Sequence, residues 1–142
     1  DGDQLRHGLC GDLGFAPEDR AEDIRRAGEV ARLFFEQGTI VICAFVSPYR
    51  ADRDRVRTLF PAGRFFEVFV SASRETCRSR DPKGLYAKAA GGAIAQFTGL
   101  SAPYEEPFTP ELVLDTERLS IEESVVTLLN ELGKSGITAR SG

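Results

Sequence analysis

The sequence predicts an α/β protein, a parallel sheet with helices on both faces. Three observations carry this. Segments with apolar residues at three- and four-residue steps alternate with short runs rich in Val, Ile and Phe. Those runs are continuously apolar, as strands covered on both faces are. The helical segments carry start and stop residues, among them Pro17, Gly38, Pro48 and Ser120.

The first stretch, DGDQLRHGLCGDLGF, is densely polar. Asp1 and Asp3 flank a glycine, which suits a turn. Placed after a strand that ended before residue 1, the same pair would bind Mg²⁺ or take a proton from a hydroxyl. FAPEDRAEDIRRAGEVARLFFEQG reads as a helix. Pro17 fits its first turn, Glu18 and Asp19 favour its N-terminal dipole, and Gly38 ends it. Ile24, Ala27, Val30, Ala31 and Phe34 form its apolar stripe. TIVICAFV reads as a buried strand.

SPYRADRDRVRTLF restarts a helix with Ser47 as N-cap and Pro48 next. On it, Arg53, Arg55 and Arg57 read as a solvated ion-pair face with Asp52 and Asp54. Ser47 is the exception, because ligands of open parallel sheets bind beyond the carboxyl ends of strands. RFFEVFV is a second strand, SRETCRSR a short helix and ELVLDT a third strand. SIEESVVTLLNELG closes with a Ser120–Glu123 capping box and a stripe of Ile121, Val125, Leu128, Leu129 and Leu132. Between the short helix and the third strand, about residues 80–110, lies a Gly- and Pro-rich stretch with weak periodicity. A structureless segment of that length predicts a lid, with Lys83, Phe97 and Tyr104 available to close over a ligand.

The totals narrow the function. The 142 residues suffice for one domain, residues 1–142, with a real core. No apolar run approaches the roughly 20 residues that span a membrane. The net charge of −4 argues against general nucleic-acid binding. Of the 18 cations 15 are Arg, whose planar fork suits phosphate, sulfate and carboxylate. Cys10, Cys43 and Cys77 with a single His make neither a zinc site nor a disulfide framework, and read as reduced thiols of a cytoplasmic protein. The absence of Met predicts a fragment or processed product.

Other motifs resolve quickly. Phe15 beside Arg20 is either a base-stacking, phosphate-gripping pair or a hydrophobic staple on the following helix. His7 reads as a structural hydrogen-bonding residue. LGKSG lacks the glycine at position 128 that a phosphate loop needs, follows no strand, and reads as a helix end.

Taken in order, DGDQLRHGL, DLGF, EDR, IRRAGEVA, VSPYRADRD, EVFV, RDPKGLY, FTGL, PYEEP and ELVLDT resemble the adenylylsulfate kinase family across almost all of residues 1–120. The resemblance implies a P-loop kinase fold, three-layered, that moves the γ-phosphoryl of ATP to the 3′-hydroxyl of adenylyl sulfate in sulfate assimilation. It implies ATP and Mg²⁺ as cofactors. It makes Asp1 and Asp3 the catalytic pair, with Asp1 near the metal and the hydroxyl. Asp3, Arg6, Arg20, Asp23, Val46, Ser47, Lys83 and Gln96 become contacts to adenylyl sulfate. Phe15 and Phe97 become the two sides of an aromatic sandwich around its adenine. Leu119 falls where the family touches the ATP adenine. Ser47 is often described in the family as a phosphoserine intermediate. In-line transfer needs only positioning and charge neutralisation, so direct transfer is expected here.

This sequence departs from the family in carrying Gln4 and Asp23 where Asn is usual. Asp23 puts a carboxylate near an anionic substrate. The larger departure is the family's phosphate loop, with its strand and helix, which would lie before Asp1 as about 30 or more residues. The 142-residue chain alone is therefore expected to turn over ATP negligibly. The family also allows a homodimer and a fusion to ATP sulfurylase. The alternatives are a nucleotide-binding pseudo-kinase module and a kinase for another small hydroxyl substrate.

Overall fold

The computed structural model describes residues 1–81, 84, 86 and 103–137. These fall into two compact units, one from residues 1–61, 86 and 103–106, the other from 62–81, 84 and 107–137.

In the first unit α1 (Gly2–Arg6) is a short helix, and α2 (Pro17–Glu36) is the long one expected, with Pro17 in its first turn. Gly38 follows in the left-handed region (φ +81°), which is why a glycine ends this helix. The buried face of α2 is Asp23, Ile24, Ala27, Gly28 and Ala31. Phe34, expected in that stripe, is 56% exposed. The core here is Cys10 with Ile24, Ala27 and Ala31. Helix α3 (Arg50–Arg57) packs on α2 through Gly28, whose bare Cα leaves room for Val56 and Leu59. Phe35 meets Phe60 edge-on, centroids 5.4 Å apart.

Residues 39–49, expected to hold a strand, form no ladder in the described structure. Ile40, Ile42 and Val46 are exposed, and a backbone tie runs from the Gly2 N–H to the Ala44 carbonyl, 3.2 Å. An apolar run specifies burial; a strand exists only where a neighbouring backbone stands about 4.8 Å away to pair with it. The cap of α3 also differs from expectation. Tyr49 occupies the N-cap with no side-chain bond, and Ser47 lies two residues earlier.

The second unit holds β1 (Val68–Ser71) and β2 (Leu112–Asp115), paired in parallel with Val68 opposite Leu112 and Ser71 opposite Asp115. Between them in sequence, α4 (Arg74–Arg80) starts at Ser73. Glu117 accepts hydrogen bonds from the Ser73 N–H, the Ser73 hydroxyl and the Thr76 hydroxyl. Arg80 closes the other end on the Thr116 carbonyl, 2.6 Å. Helix α5 (Ile121–Lys134) begins with the Ser120–Glu123 capping box that its sequence announces. It runs through Gly133, and the left-handed residue is Gly136 (φ +66°). Its expected apolar stripe is largely exposed, with Ile121 at 79% and Leu129 at 56%. The parallel pair and the helices give the α/β class read from the sequence.

Candidate active site

Helix α1 presents Asp1, Asp3 and Arg6 within one and a half turns. Asp1 is its N-cap: Oδ1 accepts the Gln4 N–H at 3.0 Å. Both aspartates are exposed. Among the described residues no group of three His, Cys, Asp or Glu could hold a metal by itself. Two exposed carboxylates suit Mg²⁺, which keeps waters and is shared with substrate phosphates, rather than a cation needing an all-protein cage. His7 accepts the structural role expected of it, with Nδ1 2.7 Å from the Asp3 carbonyl oxygen.

Arg6 points back over the loop after α1. Its guanidinium donates to the Leu13 and Gly14 carbonyls (3.2 and 3.0 Å) and to Asp23 Oδ2 (2.8 Å). Asp23, expected as a substrate contact, is buried beneath it. The other carboxylate oxygen, Oδ1, is buried without a hydrogen-bond partner. The Cys10 thiol lies beside it, fully buried, and its pKa is pushed up to about 11, first by burial and then by Asp23.

Phe15 is half exposed, and two guanidiniums flank its ring: Arg6 at 4.5 Å and Arg20 at 5.5 Å from the centroid. Arg20 also donates from Nε to the Phe15 carbonyl, 3.0 Å. The geometry does not make Phe15 a staple. A staple needs an apolar residue at the fourth helical position, and here that position is Arg20. Burial pushes the Arg20 pKa down, with Tyr49 acting in the opposite direction. A half-exposed aromatic ring with two guanidiniums close by is suited to a planar base that carries an anionic group.

Ser47 has φ +39°, and its Oγ is buried without a hydrogen-bond partner. Val46 beside it is exposed. Arg53, expected on a solvated face, instead donates to the Ser47 carbonyl and the Glu105 carbonyl, both 2.6 Å. Sequence spacing carried no sign of this, because Glu105 lies 52 residues from Arg53. The hydrogen bonds from Arg50 to Glu105 and Glu106, 55 and 56 residues away, and the Cys10–Asp23 contact left no mark in spacing for the same reason. Lys83, Gln96, Phe97 and most of the expected lid lie outside the described residues.

In the second unit, Leu119 lines an apolar groove of about 550 Å³ with Val70, Leu114, Thr116 and Val125, and Arg80 stands at its wall. An apolar slot edged by a cation and hydroxyls suits a purine.

The fold and these features define a class, an α/β protein whose first unit carries an aromatic ring beside two arginines and whose second unit carries an apolar groove. The family model for adenylylsulphate kinase matches residues 1–115. An adenylyl-sulfate kinase of Geotalea uraniireducens is 58% identical over 129 residues, covering 91% of this chain and 62% of that protein. The chain spans 62–66% of the length of curated relatives such as this one. The solved structure of the Mycobacterium tuberculosis APS kinase with AMPPNP and APS superposes with a TM-score of 0.85 at 43% identity, covering 94% of this chain and 78% of that one. A hexameric APS kinase from Thiobacillus denitrificans matches at 30% identity and a TM-score of 0.67, covering 98% of this chain and 22% of that one. The chain belongs to the adenylylsulphate kinase family, and its fold is the P-loop kinase fold expected from the sequence.

Proposed function

We propose that the protein containing this chain transfers the γ-phosphoryl of ATP to the 3′-hydroxyl of adenylyl sulfate. The observation that carries this reading is the half-exposed Phe15 ring with the Arg6 and Arg20 guanidiniums close to it. The ring offers a stacking face for adenine, and the guanidiniums offer charge to the phosphosulfate group. Support comes from the Mycobacterium tuberculosis relative, solved with APS and AMPPNP. In this reading Val46, Ser47, Lys83, Gln96 and Phe97 are further contacts to adenylyl sulfate.

In the transfer, the 3′-oxygen forms a bond to the γ-phosphorus as the bond to the ADP oxygen breaks. The hydroxyl proton passes to a carboxylate of the Asp1–Asp3 pair, for which Asp1 keeps Oδ2 beyond its capping bond. Mg²⁺, held by these carboxylates together with the phosphates, would supply charge neutralisation. Positioning carries the remainder, and no phosphorylated Ser47 is needed. The groove around Leu119 and Arg80 takes the ATP adenine. The chain contains no G-x-x-x-x-G-K-[ST] motif, so the 142 residues alone are expected to turn over ATP negligibly.

The test offers adenylyl sulfate, adenosine and AMP as acceptors to the complete protein with ATP and Mg²⁺, and measures 3′-phosphorylated product. Preferential phosphorylation of adenylyl sulfate is expected. No transfer, or better transfer to adenosine or AMP, would overturn the reading.

A further inference from the structure

The Ser47 turn holds two features that folding alone disfavours. A non-glycine residue at φ +39° is strained, the more so directly before a proline, whose ring pushes its neighbour toward extended backbone. A buried hydroxyl without a partner forfeits the hydrogen bonds it had in water. Such a conformation persists only where its surroundings over-determine it.

Those surroundings are specific. Arg53 donates through Nη1 to the Ser47 carbonyl and through Nη2 to the Glu105 carbonyl, each at 2.6 Å. Its guanidinium lies 5.7 Å from the centroid of the Tyr104 ring. The Glu105 N–H donates to the Pro48 carbonyl at 2.8 Å. The Glu105 carboxylate accepts the Arg50 N–H at 2.9 Å, and the Arg50 guanidinium reaches the Glu106 carbonyl at 2.9 Å. Three hydrogen bonds thus tie the turn at 47–50 directly to the segment 104–106, and Arg53 bridges the two through the Ser47 and Glu105 carbonyls.

The geometry points to Arg53 as a positioning residue that holds the Ser47 backbone in its positive-φ conformation and so keeps the Ser47 hydroxyl unpartnered and ready for substrate oxygen. Its catalytic consequence rests on the function proposed above; its structural consequence does not. Arg53's two bonds leave from different guanidinium nitrogens, a fork that neither Gln nor Lys reproduces.

The test uses the complete protein with two readings. The first is the backbone signature of Ser47 by NMR, from its HN–Hα coupling and Cα shift. The second is steady-state kinetics on adenylyl sulfate, corrected for folded fraction. In Arg53→Gln, Ser47 is expected to lose its positive-φ signature, and kcat to fall at least about tenfold with KM for ATP changed by less than about twofold. In a Ser47→Ala background, Arg53→Gln is expected to lower kcat little further, because both changes act through one hydroxyl. Arg55→Gln is the control: Arg55 is exposed, with its own ion pair to Asp52, and both readings should stay unchanged. If Arg53→Gln does not fold, Arg53→Lys carries the same expectations. An unchanged Ser47 signature in the Arg53 variant, or a kcat loss that adds fully to that of Ser47→Ala, overturns the inference. A wild-type protein inactive on adenylyl sulfate, whose Arg53 variant still releases Ser47, refutes the proposed function and supports the positioning role.

Discussion

The Arg6 guanidinium and the Asp23 carboxylate stand 2.8 Å apart, 17 residues distant in sequence, with the Asp23 side chain only 9% exposed. Removing one partner of such a pair strands the other. Asp23→Ala is expected to lower stability by about 3 kcal/mol. Asp23→Asn keeps an acceptor for Arg6 and should lose clearly less; urea denaturation of both variants measures this. In the proposed function, Asp23→Asn also removes a negative charge that would compete with the substrate for Arg6. KM for adenylyl sulfate should then fall by about three- to tenfold, the equivalent of roughly 1 kcal/mol. A KM that rises would show that Asp23 aids binding rather than opposing it.

Phe15→Ala should raise KM for adenylyl sulfate. Loss of one base–aromatic stack removes about 1–3 kcal/mol, or at least roughly fivefold in affinity. Arg6 and Arg20 keep their other hydrogen bonds, so thermal stability should change little. An unchanged KM would remove Phe15 from the site.

Gly28→Ala has an unusual expected sign. In an open helix the change stabilises by about 1 kcal/mol. Here a Cβ would stand 2.8 Å from Val56 Cγ2 and 3.3 Å from Leu59 Cδ1. Val56 is β-branched on a helix and has little rotamer freedom to yield. Overpacking should dominate, with a net destabilisation of about 1–3 kcal/mol. A raised melting temperature would mean that α2 and α3 can part without penalty.

Cys10 gives a pH dependence. The folded protein holds the thiol proton up to about pH 11, whereas the ordinary value is 9.0. Between those values the native state binds more protons than the unfolded chain, so stability falls as pH rises across that window and is intact below it. Cys10→Ala should flatten the decline. At pH 8, iodoacetamide should label exposed Cys43 well before Cys10, and urea should abolish the difference. Equal rates in the native protein would contradict the buried thiol.

Local chemistry decided much of this protein in advance. Pro17 and Gly38 bound α2, Ser73 starts α4, and Ser120 with Glu123 caps α5, each through residues a few positions apart. The runs EVFV and ELVLDT became paired strands, and the nearness of Phe15 to Arg20 was readable because both belong to one helix start. Tertiary structure alone decided the remainder. It buried Asp23 under Arg6, turned Arg53 from the solvent toward Ser47 and Glu105, and left the apolar stretch 40–46 without a ladder. The physical reason is range. Capping, helical periodicity and turn preference act over three or four residues and leave their mark in spacing. Ion pairs, strand partners and a strained φ depend on groups that only the folded chain brings within hydrogen-bond distance.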